Sequence, residues 1–348
     1  MKMKAYKGFK DDMTCRGLQY EEGKTYETDS AVLCEKGFHA CENPLDVFEY
    51  YPPCDESSNP NKFHEVELED VSNERCDDTK VVAKKIKIGK ELNFNEIAKA
   101  HLEWVKSSLD KDNETVNSVD CSSAVNSGDK SSVVNSGYRS FALNSGYKSI
   151  ATNNGFSSIA ANIGDGSAVV NRGFKSIAVN RGERSSAANI GYKSYAINSG
   201  NGSTASNIGN SSNSINDGER SIAVNCGFRS NAINSGYMSS AVNSGENSSA
   251  MSSGYKSSAI NNGNGSVAIT LGSLSSAINN GKDSIAVAWG VEDKAKAEKG
   301  SYIVLAEWVF NGESEYVFKG AKMRKVDGKK IKANTFYKLE NGKFVEVK

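Results

Sequence analysis

Cysteine and histidine side chains that could hold a metal ion occur near the start of this 348-residue chain, at Cys15, Cys34, His39 and Cys41. Thiolate and imidazole groups are the usual ligands of tetrahedral zinc sites. The segment that carries three of them reads Cys-Glu-Lys-Gly-Phe-His-Ala-Cys, and its spacing matches no standard zinc module. We therefore expect these side chains to pack inside a small domain with no metal or cofactor, and zinc remains the alternative.

A second candidate chemistry lies in the middle of the chain, where aromatic and basic residues are adjacent. Such pairs bind nucleic acid when cations contact phosphate and rings stack on bases. They also anchor protein interfaces, or the rings stack on one another while Lys and Arg keep the surface soluble. We predict an edge that binds protein, with nucleic acid as the minority reading. The candidate residues are Tyr138, Arg139, Tyr147, Lys148, Phe156, Phe174, Lys175, Tyr192, Lys193, Phe228, Arg229, Tyr255 and Lys256.

These pairs recur because residues 126–287 are eighteen copies of a nine-residue unit, Asn-x-Gly-x-x-Ser-x-Ala-(Val/Ile), with Asn at position 1. A fixed short period of this length is typical of a solenoid, in which each repeat buries its apolar residues against its neighbours. The glycine at position 3 is expected to supply a turn with positive φ. The run from Ser at position 6 to the next Asn has the length of a short strand. The sequence therefore predicts a parallel β-solenoid.

Position 4 shows that two units form one coil. Through the first six coils, alternate copies mostly carry rings, as at Tyr138 and Phe156, whereas the copies between them are largely acidic, as at Asp129 and Asp165. The pattern changes after Phe228. The pattern predicts nine coils of eighteen residues, with an aromatic ladder along one edge and a mostly acidic second edge.

The direction of the side chains is a separate question. Position 9 is Val or Ile in twelve copies, and burial of apolar area favours turning positions 7 and 9 into the lumen. Ser, Ala and Asn then form the outer surface. The opposite register lines the lumen with Ser, Ala and Asn, and leaves aliphatic stripes outside that need a partner or another copy to cover them. We predict the first register.

The flanking segments predict two smaller units around the solenoid. Residues 1–105 read as an α+β domain, 106–296 as the solenoid, and 297–348 as a cap of β-hairpins whose Asn-Gly and Asp-Gly pairs mark turns. Strands are expected at 17–20, 63–68 and 81–88, and helices at 44–51 and 95–105. The fold class is thus mainly β.

Composition limits the function classes. The net charge is zero and no apolar run approaches the ~20 residues that span a bilayer, so neither nucleic acid nor a membrane is indicated. The first residues lack the apolar core of a signal peptide. Seven irregularly spaced cysteines fit reduced thiols. We expect a cytoplasmic protein.

Three resemblances add expectations. The Cys-x-x-Gly-Phe-His-Ala-Cys segment, the following Pro-Leu-Asp-Val, and the tail around 303–308 and 326–332 resemble uncharacterised bacteriophage and prophage proteins that carry β-solenoid repeats. Segments 15–17, 23–26 and 37–41 resemble the opening of ADP-ribosyltransferase-like domains. That resemblance implies a nicotinamide pocket, a role for Arg16 or His39, and a catalytic glutamate for which Glu65 or Glu67 would have to serve. The unit Ser-x-Ala-(Val/Ile) resembles the heads of trimeric autotransporter adhesins, which favours a homo-oligomer.

Together these readings predict a non-enzymatic, phage-encoded scaffold in the host cytoplasm. It is expected to inhibit a host protein, such as a defence factor, by occlusion or mimicry. A virion structural or receptor-binding protein, and an ADP-ribosyltransferase-like enzyme in the first domain, are the alternatives.

Overall fold

The structure, a computed structural model, describes residues 2–55, 57, 59–74, 79–107, 114–312 and 315–347. It is mainly β, as predicted, with a parallel β-solenoid of about 11 turns behind a small N-terminal domain. Residues 108–113, at the predicted start of the solenoid, lie outside the described ranges.

The N-terminal domain is a five-stranded antiparallel sheet with two helices. In the sheet order β4-β7-β5-β1-β6, β6 also pairs with β7, so the sheet closes on itself. The predicted strands at 17–20, 63–68 and 81–88 and the helix at 95–105 are confirmed, whereas the helix expected at 44–51 is a single turn. The elements are β1 Met3–Phe9, β2 Thr14–Cys15, β3 Leu18–Gln19, β4 Thr25–Glu27, β5 Phe38–Cys41, α1 Val47–Tyr50, β6 Lys62–Val71, β7 Lys80–Glu91 and α2 Phe94–Ser107.

The solenoid consists of two parallel sheets whose strands alternate along the chain. The covered sheet, on which the N-terminal domain lies, contains β8 Glu114–Asn117, β10 Ser132–Asn135, β12 Ile150–Asn153, β14 Ala168–Asn171, β16 Ser186–Asn189, β18 Thr204–Asn207, β20 Ile222–Asn225, β22 Ser240–Asn243, β24 Ser258–Asn261, β26 Ser276–Asn279 and β28 Lys294–Ala297. The open sheet contains β9 Ser123–Asn126, β11 Phe141–Asn144, β13 Ile159–Asn162, β15 Ile177–Asn180, β17 Tyr195–Asn198, β19 Asn213–Asn216, β21 Asn231–Asn234, β23 Ser249–Ser252, β25 Val267–Thr270 and β27 Ile285–Ala288.

Strand register confirms two units per coil. Each strand pairs in parallel with the strand eighteen residues later, as Ser132 does with Ile150. The nine predicted coils become about 11, because imperfect copies of the unit add a coil at each end.

The role predicted for the repeat glycine is wrong. Positive φ occurs at position 5, for example at Arg139 and Lys175, and at none of the described glycines of position 3. Position 3 requires glycine because coils approach closely there. A Cβ on Gly146 would lie 1.9 Å from the carbonyl oxygen of Gly128 in the coil before it. Glycine is thus selected by contact between two backbones.

The predicted register is also wrong, since the lumen holds the small side chains. The alanines of position 8 from both sheets are fully buried and touch one another, as Ala142 and Ala151 do. Positions 7 and 9 point outward. The two sheets lie so close together that only Ala, Ser, Asn and an occasional Val, as at Val133, fit between them. Strict conservation of size among the copies, and not hydrophobicity, marks the lumen.

Hydrogen bonds offset the burial of the polar lumen residues. The hydroxyl of Ser158 accepts from the backbone N–H of Ser140, one coil earlier, at 2.9 Å, and lies 3.0 Å from the carbonyl oxygen of Gly137. The side chain of Asn180 accepts from the N–H of Gly182 at 2.9 Å and donates to the carbonyl of Ser186 at 3.0 Å. Ser and Asn therefore satisfy the turn backbone. The side-chain nitrogens of seven described asparagines in the covered sheet have no hydrogen-bond partner, and these are Asn135, Asn153, Asn171, Asn189, Asn207, Asn225 and Asn279.

The N-terminal domain covers one outer face of the solenoid. Phe48, Phe63 and Ile97 form one apolar cluster with outward side chains of the covered sheet, among them Ile222 and Ile260. Position 7 of this sheet is often serine, which leaves room for the domain to approach. The sequence did not predict this packing.

Polar contacts fix the same interface. The guanidinium groups of Arg184 and Arg220 lie 3.6 and 3.5 Å from the Glu49 carboxylate. The thiol of Cys54 lies 2.9 Å from the hydroxyl of Ser240. The imidazole of His101, which is fully buried, lies 3.3 Å from the carbonyl of Arg184.

Two hairpins close the C-terminal end of the lumen, as predicted. β29 (Tyr302–Phe310) extends the open sheet and pairs with β30 (Tyr316–Lys325), while β31 (Phe336–Glu340) and β32 (Lys343–Val347) extend the covered sheet. Ile303, Leu305 and Tyr337 pack on the last lumen alanines. Asn341-Gly342 forms the tip of the second hairpin, whereas Asp327-Gly328 joins the two hairpins. Residues 313–314 of the first turn lie outside the described ranges.

Replacement of Gly146 by alanine tests the contact between coils. The added Cβ meets a backbone oxygen that cannot move without displacing the preceding coil, so we expect a loss of about 3 kcal/mol or more in the free energy of unfolding. Gly166→Ala is the matched control, because its φ is +61° but its Cβ has neighbours no closer than 3.6 Å. That variant should lose only about 1–2 kcal/mol. Equal losses in chemical denaturation would contradict this account.

Protonation of His101 should weaken the docked fold. Burial lowers the pKa of His101 to about 3, against an ordinary value of about 6.5 in the unfolded chain. The unfolded state therefore binds the proton first as pH falls below 6.5, and stability decreases by about 1.4 kcal/mol per pH unit there. Burial raises the pKa of Asp293 to about 7, which acts in the opposite direction.

The effect of His101 is separated from that of Asp293 by comparing the wild type with His101→Phe. Both proteins contain Asp293, so its contribution cancels in the difference. The unfolding free energy of the wild type relative to this variant should fall by about 1.4 kcal/mol between pH 7.5 and pH 5.5. A constant difference across that range would mean that the imidazole gains its proton in the folded state.

Candidate functional site

The structure divides the predicted edge residues between two opposite edges of the solenoid. The ladder edge follows the strands of the covered sheet and the docking edge follows those of the open sheet. The ladder edge carries Tyr138, Arg139, Phe156, Phe174, Lys175, Tyr192, Lys193, Phe228 and Arg229. The docking edge carries Tyr147, Lys148, Tyr255 and Lys256. The thirteen residues therefore do not form one continuous surface.

The ladder edge contains the predicted aromatic stack. Phe156 lies 5.6 Å from Tyr138 and 4.9 Å from Phe174, ring centroid to centroid, with the planes nearly parallel. Arg139 and Lys175 lie over the ring beside them, at 5.2 and 5.6 Å. Because each inner ring contacts a ring on either side, its faces are not open to stack on a base. The geometry fits the stabilising role better than the nucleic-acid role.

The docking edge is partly used inside the chain. The Lys148 ammonium lies 4.7 Å from the centre of the Trp104 ring on α2. Arg184 and Arg220, which pair with Glu49, belong to the same edge. This edge holds the N-terminal domain and is less available to a partner.

The open face, formed by positions 7 and 9 of the open sheet from β11 to β27, is a mostly apolar surface that the described part of the chain leaves partly exposed. Ile159, Tyr195 and Ile233 are 37, 42 and 36 % exposed, and the other members are mostly half-buried among their neighbours. Its members are Phe141, Leu143, Ile159, Ala161, Ile177, Val179, Tyr195, Ile197, Asn213, Ile215, Asn231, Ile233, Ser249, Met251, Val267, Ile269, Ile285 and Val287.

Size and charge make the open face suited to binding protein. Nine strands at ~4.8 Å spacing and four residues of strand width give on the order of 500 Å². Patches of this size on a single chain commonly mark interaction sites. None of its eighteen side chains is charged, so it offers nothing to phosphate groups and much to an apolar protein surface.

Sequence reasoning missed the open face, although a signal was present. When position 7 is sorted by alternate copies, one series reads Phe141, Ile159, Ile177, Tyr195 and the other is mostly small, as at Ser186 and Ser240. The two series are the two outer faces. The residues of position 7, compared between alternate copies as at position 4, distinguish the two outer faces.

The candidate metal residues line a cleft in the N-terminal domain. Cys15, Cys34, His39 and Cys41 all border a cavity of about 450 Å³. Within the described part of the chain, no three His, Cys, Asp or Glu side chains converge as metal ligands. The Nε2 atom of His39 accepts the backbone N–H of Cys34 at 2.9 Å. This imidazole holds the loop that carries Cys34.

The residues required by the transferase resemblance do not come together. Arg16 and His39 line the cleft, but Glu65 and Glu67 line a separate, shallow cavity beside Lys2 and Lys4. Both glutamates are used in ion pairs with those lysines. The expectation that the chain is not an enzyme stays a prediction.

Comparison with known proteins identifies the N-terminal domain only. Residues 3–100 match the model of a family described as a domain of unknown function, DUF7666. No curated protein and no solved structure matches the chain. Among the described residues, neither helix has the length and apolar character needed to cross a bilayer. The match ends before the solenoid begins, so the solenoid must be interpreted from its own geometry.

Removal of one ring tests the stabilising role of the ladder edge. Phe156→Ala should lower the free energy of unfolding by about 1–2 kcal/mol more than Phe228→Ala, because stacked rings contribute beyond their buried area. Phe228 is the matched control, because it also occupies position 4 on the ladder edge and has Arg229 over its ring at 5.0 Å. Its neighbours along the edge are Asn210 and Glu246, so it stacks on no ring there. Equal losses in urea denaturation would show that stacking adds nothing.

Proposed function

We propose that this chain is a protein-binding scaffold and that it acts by laying its open face against another protein. The observation that carries the proposal is an uncharged, mostly apolar face formed by parallel strands of the solenoid. Its counterpart on the covered sheet already shows how such a face is used, because the N-terminal domain buries Ile222 and Ile260 there. The open face has the same chemistry without an occupant from its own chain.

The partner that we propose is a host protein, inhibited by occlusion in the host cytoplasm. This part of the proposal is supported by the resemblance of both ends of the chain to phage proteins. The host protein that we propose as the target is a defence factor. The stacked coils support it further, since a preformed surface loses little conformational freedom on binding.

Self-assembly, as in a virion component, is the second candidate, and one observation favours it. The polar members of the open face, Asn213, Asn231 and Ser249, lie near its middle and are hydrogen-bonded to one another in a row. Two copies placed antiparallel about this row would bring Asn213 opposite Asn231 and Ile177 opposite Val267. Buried asparagines of this kind fix register between copies.

Two charges placed on the open face should abolish partner binding. In Ile215→Glu/Ile233→Glu, a complex would bury carboxylates that have no counter-charge, which costs several kcal/mol and lowers affinity by more than about tenfold. Proteins retained from bacterial lysate by the wild type should be lost from this variant, measured by quantitative mass spectrometry.

Ile190→Glu/Ile208→Glu is the matched control, because these isoleucines are 48 and 40 % exposed but lie on the ladder edge. It should retain the same proteins as the wild type. Binding that survives in both variants, or a wild type that retains nothing, would contradict the proposal. A mass of two or more chains in light scattering that becomes one only in the open-face variant would assign the face to self-assembly.

A further inference from the structure

The cleft of the N-terminal domain has the features of a ligand site that is separate from the open face. It has a volume of about 450 Å³, within the range of small-molecule sites. Strands β1 and β5 form its floor, and the loop after α1 forms one side. Its lining combines positive charge with aromatic rings, and contains Lys7, Arg16, Lys80, Tyr20, Tyr50 and Tyr51 among others.

Lys7 is the central observation, because it is a buried cation without an opposite charge. Its residue is only 7 % exposed. The ammonium donates to the carbonyl oxygen of His39 at 2.9 Å and lies 5.8 Å from the centre of the Tyr20 ring. Among the described residues, no carboxylate lies within 4 Å of it. A buried charge of this kind is costly unless an anion completes its surroundings.

Two further cations line the cavity. Arg16 lies at the rim, and Lys80 lies 4.8 Å above the Tyr50 ring. Together with Lys7 they act on His39, whose pKa is lowered by burial and then by these three cations. Of the two glutamates in the lining, Glu27 is paired with Lys85 at 2.7 Å.

The aromatic lining narrows the class of ligand. Tyr6, Tyr20, Phe38, Tyr50 and Tyr51 border the same cavity as the cations. Tyr6, Tyr20 and Phe38 are buried, whereas Tyr50 is 44 % exposed and can offer a ring face to a planar group. Ammonium and guanidinium groups bind phosphate oxygens through charge-assisted hydrogen bonds. We propose that the cleft binds a small phosphorylated ligand with a planar ring, of the size of a nucleoside monophosphate, with its phosphate on Lys7 and Arg16.

Calorimetric titration of the full chain with AMP, GMP, CMP and UMP tests the proposal, with inorganic phosphate and adenosine as separate probes. At least one monophosphate should bind more tightly than phosphate or adenosine alone. Lys7→Met and Arg16→Gln should each weaken that binding at least about tenfold, because each removes a charge-assisted bond to phosphate. Lys84→Met, on the exposed side of β7, is the matched control and should bind like the wild type.

A second measurement keeps the Lys7 variant interpretable. Methionine has the volume of lysine without its charge, so Lys7→Met should raise the melting temperature of the free protein while removing the stabilisation that the monophosphate gives the wild type. The proposal is overturned if none of the four monophosphates binds, if Lys7→Met binds as the wild type does, or if inorganic phosphate alone binds as tightly as the best monophosphate.

Discussion

The contact between the turns of neighbouring coils is the constraint on which the structure depends. At position 3 the backbone of one coil lies directly on the backbone of the coil before it, so that a Cβ on Gly200 would come within 1.9 Å of the carbonyl oxygen of Gly182. This spacing brings the serine of each coil within reach of the next. Each serine hydroxyl then accepts a backbone N–H from the preceding coil, as Ser212 does from Ser194 at 2.9 Å. The result is a narrow lumen filled mainly by Ala, Ser and Asn.

The narrow lumen determines which side chains lie on the outer faces of the solenoid. Since large side chains cannot enter, every Ile, Val, Phe and Tyr of positions 7 and 9 is placed on an outer face. Apolar area on a surface is stabilised only when something covers it. The N-terminal domain does so on one side, where Ile222 is fully buried and Ile278 nearly so. On the other side the equivalent residues remain partly exposed, and for this reason we propose the open face as the binding surface.

Much of the fold could be predicted because it depends on the nine-residue period of the sequence. The nine-residue unit specifies strand, turn and two units per coil without reference to anything distant, and the aromatic stack at Phe156 follows from the same count. The direction of the side chains could not be predicted from hydrophobicity, because Val and Ile at position 9 suggest a core while the geometry excludes them from it. The invariant Ser and the nearly invariant Ala were the better indicators, because a site with little spare volume accepts few kinds of side chain. Position 5 illustrates another limit: Arg139 and Lys175 adopt positive φ, which their residue types do not suggest. Docking of the N-terminal domain depends on a cluster that joins residues such as Phe48 and Ile222, which are far apart in sequence and follow no common period.

The difference between the two faces restricts how this solenoid can change in length. One nine-residue unit forms half of a coil, so the loss or gain of a single unit would exchange the faces of every coil beyond it. The aliphatic side chains of position 7 would then lie on the covered sheet, where serine now leaves room for the N-terminal domain. The small residues would lie on the open face. Length variation among related chains is therefore expected in steps of eighteen residues, whole coils at a time.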